Sequence, residues 1–307
     1  MKERKAYIYG AAKGGEAALM YCRDTFCITG FIDKRASLEF NSFCTLPVIS
    51  PNDFFAGLEQ KEITDIIIAV RYPAEVVNLI TTFYYKDLKN INIYIFDGRN
   101  NENPLLYQVQ EGEICTPEYM DKRFDELDEY SNHYSRLNPF VLKVFKHALE
   151  WISKYDKSIQ ICELGCGTGQ FANMLFDNGY TGYTGIDFSS QGIEMAKEAN
   201  PLHKNKFICT NALAYLQKGG GTKDVLFLSF EMLEHMNRDI ELCNMLPIGS
   251  AIIFSVPNFK SFNHMRIFDD LKSIQSRYIM FDIVNYLSLP ASEDKNKNYH
   301  LVAAVKK

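Results

Sequence analysis

The chain lacks any apolar run near the ~18 residues a membrane-crossing helix needs, so no spanning segment is expected. It lacks a basic stripe: lysines and arginines are scattered, and the net charge is -5. A protein that grips nucleic acid through phosphates concentrates its cations, so nucleic acid is not the expected partner. It lacks C-x-x-C pairs. The cysteines sit mostly in apolar, strand-like contexts such as ICELGC and FICTNA. That is the pattern of reduced, buried thiols in a cytoplasmic protein and not of a disulfide framework. Solenoid-period repeats and long low-complexity tracts are also missing. Strand and turn signals follow the positive charges of MKERKAYIYGAAKGG, where a signal peptide would carry an apolar core.

What remains is a chain of 307 residues, long enough for two domains and, at 47% hydrophobic content, apolar enough for two cores. KAYIYG (5–10), CITGFID (27–33), DIIIAV (65–70) and INIYIFD (91–97) read as strands. Helices are expected from AAKGGEAALMYCRD and across 73–86. LPVISP (46–51) reads as a loop in which Ser50 and Pro51 fit a helix N-cap and first position. Repeated β-α-β predicts a parallel sheet covered on both faces. From 98 to 130 the pattern loosens. DGRNNENPLL reads as a linker, and a charged, aromatic stretch with short helices follows. PFVLKVFKHALEWISKY (139–155) has helical spacing.

A second series then begins. SIQICELG (158–165), YTGIDFS (183–189), KFICTNA (206–212), DVLFLSF (224–230) and AIIFSVP (251–257) read as strands, with helices at GQFANMLFDNG and SQGIEMAKEAN. HMRIFDDLKSIQSR (264–277) reads as helix. YIMFDIVNY (278–286) and NYHLVAAVKK (298–307) have no helix between them, which predicts an antiparallel hairpin. The expected fold class is α/β, with a Rossmann-like domain over 1–98, a connector over 99–138 and a second Rossmann-like domain over 139–307.

The strongest motif is ELGCGTG, Glu163 to Gly169, between a strand and a helix. Glycines there let the backbone turn tightly and approach a ligand. Asp187 ends the next strand, where a carboxylate can accept both hydroxyls of a ribose. The pattern resembles class I S-adenosylmethionine-dependent methyltransferases, whose loop reads acid-x-G-x-G-x-G, over roughly residues 130–307. The resemblance implies that Glu163 fixes the donor's ammonium group. It implies that Gly165, Cys166, Gly167 and Gly169 pass beside the amino-acid part, that Asp187 holds the ribose and that Phe188 lies near the adenine. The family's next adenine contact is usually an acid; here Asn211 stands there, with Ala212, and an amide can both accept and donate. Phe230 and Glu231, ending the fourth strand, complete the implied cofactor set. The closing hairpin also fits that family.

FEMLEHM (230–236) puts three ionisable groups after an apolar strand. A helix beginning near Glu231 would set Glu231, Glu234 and His235 on one face. Glu-x-x-Glu-His is similar to motifs of ubiquinone-biosynthesis O-methyltransferases and small-RNA 2′-O-methyltransferases, where these side chains bind a divalent cation. The RNA enzymes add a histidine after the fifth strand, and His264 lies in the comparable region. Three roles stay open: His235 as general base oriented by Glu234; Glu231, Glu234 and His235 as ligands of Mg²⁺, Mn²⁺ or Zn²⁺; or glutamates favouring a helix N-terminus while His235 lines the pocket. SVPNFKSFNHMRIFD is similar to segments of bacterial methyltransferases acting on sugars and small metabolites. Asn258, His264 and Arg266 are thus acceptor-pocket candidates, with Arg266 either pairing an acceptor phosphate or carboxylate or standing as a plain surface arginine. Tyr130, His133 and Tyr134 precede the domain in a region that folds over the cofactor in that family. They are read there or as packing, and Tyr134 joins the acceptor set.

Gly10-Ala-Ala-Lys-Gly14-Gly15 also joins strand to helix, with Asp33 ending the next strand. Ala12 stands where a dinucleotide fold wants its second glycine, and its Cβ obstructs a pyrophosphate. Residues 5–97 resemble nucleotide-binding domains of polysaccharide-biosynthesis proteins. That implies either a nucleotide-sugar or dinucleotide site, or a domain that positions acceptor or builds a homodimer. The expected activity is donor-dependent methylation of a hydroxyl on a small molecule, sugar or sugar nucleotide, in polysaccharide or secondary-metabolite biosynthesis. A metal-dependent RNA 2′-O-methyltransferase and a non-catalytic nucleotide-binding regulatory module are the alternatives.

Overall fold

A computed structural model describes residues 4–58, 63–83, 91–100, 102, 104–109, 114–126 and 133–307. Two compact units result: Met1–Ile114 with Ser261–Met265, and Cys115–Lys260 with Arg266–Lys307. Each is built on a mixed sheet of seven strands.

The first unit runs β1 (Lys5–Tyr9), α1 (Lys13–Cys22), β2 (Cys27–Ile32), β3 (Ser42–Phe43), β4 (Leu46–Ile49), α2 (Pro51–Ala56), β5 (Asp65–Ile68), α3 (Pro73–Phe83), β6 (Asn92–Asp97) and β7 (Leu105–Gln108). The sheet order is β3-β4-β2-β1-β5-β6-β7. The central five strands are parallel, and β3 and β7 close the edges antiparallel. Its core joins Ile8, Phe31, Ile67 and Phe96 from four strands with Ala18 and Cys22 of α1. Ser50 caps α2 by accepting from the Asp53 N–H, with Pro51 at the first position, as expected. LPVI is a strand and not a loop. Part of the expected linker is strand too: Leu105–Gln108 pairs with β6. Neither is long enough for a periodicity to show.

The second unit runs α4 (Pro117–Glu126), α5 (Pro139–Ile152), β8 (Gln160–Leu164), α6 (Gln170–Asp177), β9 (Tyr183–Asp187), α7 (Ser190–Ala199), β10 (Phe207–Cys209), α8 (Ala212–Gln217), β11 (Val225–Ser229), α9 (Asp239–Met245), β12 (Ala251–Pro257), α10 (Leu271–Arg277), β13 (Phe281–Pro290) and β14 (Asn298–Lys306). The order is β10-β9-β8-β11-β12-β14-β13. All neighbours are parallel except the closing hairpin, whose β14 inserts antiparallel between β12 and β13. The chain leaves the first strand of this unit in one direction and later returns to its other side. That reversal opens a crevice at the carboxyl ends of β8, β9 and β11, where open α/β sheets bind ligands. Buried residues of β8, β11 and β12 alternate between two cores. Ile161, Leu226 and Ile253 face α5 and α6, while Cys162, Phe227, Ile252 and Phe254 face α8 and α9.

The helix expected over 264–277 forms only from Leu271. Asp270 caps it with a reciprocal bond to Ser273, which fixes the start there. Among the described residues no helix is long and apolar enough to cross a membrane. Among the described residues no disulfide forms. Cys22, Cys162, Cys166 and Cys243 are buried as expected, whereas Cys27 and Cys209 are exposed.

Candidate functional site

The ELGCGTG loop leaves β8 at the centre of the second sheet. Gly165, Gly167 and Gly169 all take positive φ (77°, 50° and 74°), a conformation that disfavours other residues. The N–H groups of Gly165 and Cys166 both donate to the Ile186 carbonyl of β9, at 2.8 and 3.0 Å. A Cβ on Gly169 would lie 2.9 Å from Ala196 Cβ and 3.0 Å from Asn200 Nδ2. Asn200 in turn donates to the Gly169 carbonyl. Gly169→Ala should therefore combine backbone strain with overpacking and lower stability by about 2–5 kcal/mol, read by urea unfolding. An unchanged midpoint would contradict this account of the loop.

Asp187 ends β9 and is buried. One oxygen accepts from Gly167 N at 2.9 Å and the other from Ser189 N at 2.8 Å. Burial pushes its carboxyl up to about 6, against the pull of these N–H groups, and the nearby Asp121 carboxylate adds to the rise. A carboxylate has about four acceptor positions, so two good bonds leave capacity for a diol. The glycine loop and this acid fit a bound adenosine-containing donor.

The first unit offers an instructive contrast. Asp33 occupies the same place after β2, yet four donors fill it: Ala11 N, Arg35 N, Arg35 Nε and Arg35 Nη2, at 2.8–2.9 Å. Despite burial, the Arg35 guanidinium and these N–H groups hold its carboxyl down at about 2. A ribose could bind only by displacing Arg35. The glycines are taken up by packing as well: a Cβ on Gly15 would meet the Gly10 carbonyl at 1.9 Å, and one on Gly14 the Ala69 carbonyl at 2.8 Å. Asp33 and its loop thus clamp each other.

Around Asp187 the sequence hid two contributors. Asp121 of α4 accepts from the hydroxyls of Ser189 and Ser190 and from Gln191 N. Phe124 of the same helix lies against Gly192, where a Cβ would stand 2.8 Å from its ring, and beside Gly167. No sequence spacing links residues about seventy positions apart.

Of the adenine-side residues, Phe188 is half-buried at the strand end. Asn211 caps α8, its side-chain oxygen accepting from Leu213 N and Ala214 N. Ala212 is buried beside it. Asn211 therefore stands at the expected strand end with its acceptor committed to the helix, leaving its NH₂ for a ligand. Phe230 turns into the core, ring against ring with Phe145 and Phe171. That corrects its expected place among the cofactor contacts.

The FEMLEHM segment does not begin a helix. Glu231 takes φ 49°, uncommon for a residue with a Cβ, and only Leu233–His235 makes a 3-10 turn. Glu231, Glu234 and His235 thus share no regular helical face. Ser255 of β12 holds Glu231 twice, accepting from its N–H at 3.1 Å and donating to its carboxylate at 2.8 Å. Such strain persists where surroundings enforce it, typically at functional sites. Met232 lies over Gly165: a Cβ there would stand 2.7 Å from Met232 Sδ. The turn thereby touches the glycine loop.

Glu234 is fully buried, and among the described residues neither carboxylate oxygen has a hydrogen-bond partner of good geometry, the Glu231 carboxyl lying nearby. His235 Nε2 stands 3.6 Å from its Oε1. Burial lifts Glu234 far above the ordinary carboxylate range, and the Glu231 charge adds to it. Burial likewise lifts Glu231, to about 7. A buried carboxylate beside a second one and an imidazole is costly. The arrangement can hold a proton, receive one from a substrate hydroxyl or accept a cation.

The acceptor candidates scatter. Arg266 is no free surface arginine: it donates to the Leu233 and Met236 carbonyls of the 3-10 turn and pairs with Asp239 at 3.3 Å. Asp239, fully buried, is also gripped by both ends of the Arg277 guanidinium and by Tyr278. Arg266 therefore fixes the turn and is committed away from an acceptor phosphate. Asn258 spends its amide on Asn296 and Asn298, tying down the closing hairpin's turn. The Tyr134 hydroxyl donates to Asp177 at the last residue of α6, the end away from the glycine loop, and His133 joins it there. Tyr134 is thus corrected to a packing role. His264 belongs to the Ser261–Met265 segment of the first unit. Tyr130 lies outside the described residues.

Residues 161–245 match a family model described as a methyltransferase domain. No curated protein matches the chain. Among solved structures, the chain resembles the N-methyltransferase NodS from Bradyrhizobium japonicum WM9 in complex with S-adenosyl-L-homocysteine, at 16% identity and a TM-score of 0.46, over 62% of this chain and 99% of that one. It also resembles magnesium protoporphyrin IX methyltransferase from Synechocystis PCC 6803 with bound SAM, at 14% identity and 0.45, over 64% and 100%. The matched methyltransferase-domain model spans the ELGCGTG loop and Asp187, on the sheet of order β10-β9-β8-β11-β12-β14-β13.

Proposed function

We propose that the chain transfers a methyl group to a hydroxyl of a small molecule, with sugars and sugar nucleotides the favoured acceptors. The observation that carries this is Glu234: a buried carboxylate with open acceptor capacity, next to His235, on the turn whose Met232 overlies the glycine loop. A bound donor supplies a sulfonium methyl, and transfer is an in-line displacement governed by alignment. A hydroxyl must still lose its proton. His235 takes it as general base, with the Glu234 carboxyl beside it at 3.6 Å from Nε2. Glu231, pinned by Ser255, keeps the pair's combined charge and proton in place.

A second role for the same group rests on the same carboxylate. Glu234 and His235 offer a carboxylate and an imidazole suited to a divalent cation such as Mg²⁺, Mn²⁺ or Zn²⁺, which would offset the negative charge and acidify an acceptor hydroxyl. The sugar preference rests on the likeness of residues 5–97 to domains of polysaccharide-biosynthesis proteins. The net charge of -5 disfavours a nucleic-acid acceptor.

The test is S-adenosylhomocysteine release on a panel of hydroxyl acceptors, including nucleoside-diphosphate sugars and short RNAs, with and without added Mn²⁺. Turnover on a small hydroxyl acceptor, lost by at least about a hundredfold in His235→Ala, is expected. Turnover on RNA alone would overturn the acceptor assignment. Donor binding without turnover on any acceptor would favour a regulatory module. Dependence on Mn²⁺, with metal retained in the purified protein, would select the cation role.

A further inference from the structure

The Glu163 carboxylate lies at the root of the donor loop and is almost fully buried. Its partner is the hydroxyl of Tyr183, which donates to Glu163 Oε2. In the parallel pairing of β8 with β9, Glu163 stands beside Gly185 and Ile161 beside Tyr183. Tyr183, Gly185 and Asp187 follow at intervals of two and share one face. The Tyr183 side chain therefore reaches along β9, past Gly185, to a carboxylate on the neighbouring strand. Gly185 makes the passage: a Cβ there would stand 2.8 Å from the Tyr183 oxygen and 2.9 Å from Cys166 Sγ. The Tyr183 ring otherwise sits among Phe176 and Phe207. A phenylalanine would satisfy that packing, so the buried hydroxyl is explained only by its bond to Glu163.

We propose that Tyr183 is a positioning residue for the donor site: through the gap left by Gly185, its hydroxyl orients the Glu163 carboxylate and stabilises its ionised form, ready for the donor's ammonium. The proposal rests on Glu163 as the acid that receives that ammonium. Few charges face Glu163. Asp187 on β9 opposes its ionisation, the Cys162 and Cys166 thiols lie nearby, and Tyr183 supplies the stabilising bond. Burial lifts Glu163 to about 8 even with that bond. Near neutrality the free protein therefore holds a proton that cation binding must expel.

The experiment is calorimetric titration of S-adenosylmethionine into the full chain between pH 6.5 and 9, with Tyr183→Phe, Glu163→Gln and Gly185→Ala beside the wild type. The variant-to-wild-type ratio of Kd is read at each pH, so titration of the ligand itself cancels. Removing the hydroxyl raises the Glu163 pKa. The Tyr183→Phe ratio is then largest at pH 6.5, about tenfold for each pKa unit gained, and shrinks toward one as pH rises. Gly185→Ala closes the same passage from a neighbouring position on β9, and it is read for the trend of its ratio with pH alone, because its Cβ also presses on Cys166 Sγ. In two buffers of different ionisation enthalpy at pH 7, the wild type releases about one proton on binding, and Glu163→Gln releases none. A pH-independent ratio, or none above one, overturns the role of Tyr183 while leaving the donor site intact. No binding by the wild type at any pH overturns both.

Discussion

Asp187→Ala is expected to weaken S-adenosylmethionine binding by two to three orders of magnitude while leaving the protein folded. The Asp187 carboxylate ties Gly167 N to Ser189 N, fixing the glycine loop against the start of α7. It retains capacity for two hydroxyls of a ribose. Each charge-assisted bond contributes about 1.5–3 kcal/mol, so losing two costs roughly 3–6 kcal/mol, or a hundredfold or more in Kd. Loop disorder adds to that. Calorimetry on the variant gives the answer, and a loss below tenfold would mean that the ribose sits elsewhere. The corresponding change in the first unit, Asp33→Ala, should leave donor binding unchanged, because Arg35 already saturates Asp33.

Glu234→Gln should make the metal-free protein more stable at pH 7.5, by about 3–8 °C in Tm, while disabling transfer. The sign follows from linkage. An unfolded glutamate titrates near 4.3, and burial raises Glu234 well above that in the fold. The folded protein therefore binds the proton more tightly. The stability this contributes is full below about pH 4 and declines as pH rises toward the folded pKa. Glu231, raised to about 7, acts in the same direction. Melting curves in EDTA should show the wild type losing stability between pH 5 and 8, with a shallower loss in Glu234→Gln. An unchanged slope, or a variant less stable at pH 7.5, would mean that Glu234 is partnered in solution.

Much of this was legible because the signals were local. ELGCGTG followed by an acid at the next strand's end announces a glycine loop in sequence alone, and the alternation of strands and helices announces both sheets. Elsewhere the determining contacts are remote. Asp121 and Phe124 reach Ser189 and Gly192 from a charged segment with no distinguishing pattern. Arg266 has the composition of a ligand arginine, but its direction is set by a turn thirty residues earlier and by Asp239. FEMLEHM has the spacing of a helical face, yet Ser255 on a later strand holds Glu231 at positive φ and breaks that face before it starts. Asp33 carried a local clue that outweighs the glycines before it: an arginine two residues on, able to fold back and fill the carboxylate.

The most direct test of the central claim is calorimetric titration of S-adenosylmethionine into the purified wild-type chain at pH 8, beside a Glu163→Ala, Asp187→Ala double variant. Micromolar binding to the wild type, absent from the double variant, is the predicted result. No heat and no thermal shift with millimolar donor would contradict the assignment of ELGCGTG and Asp187 as a donor site, and with it the methyltransferase account.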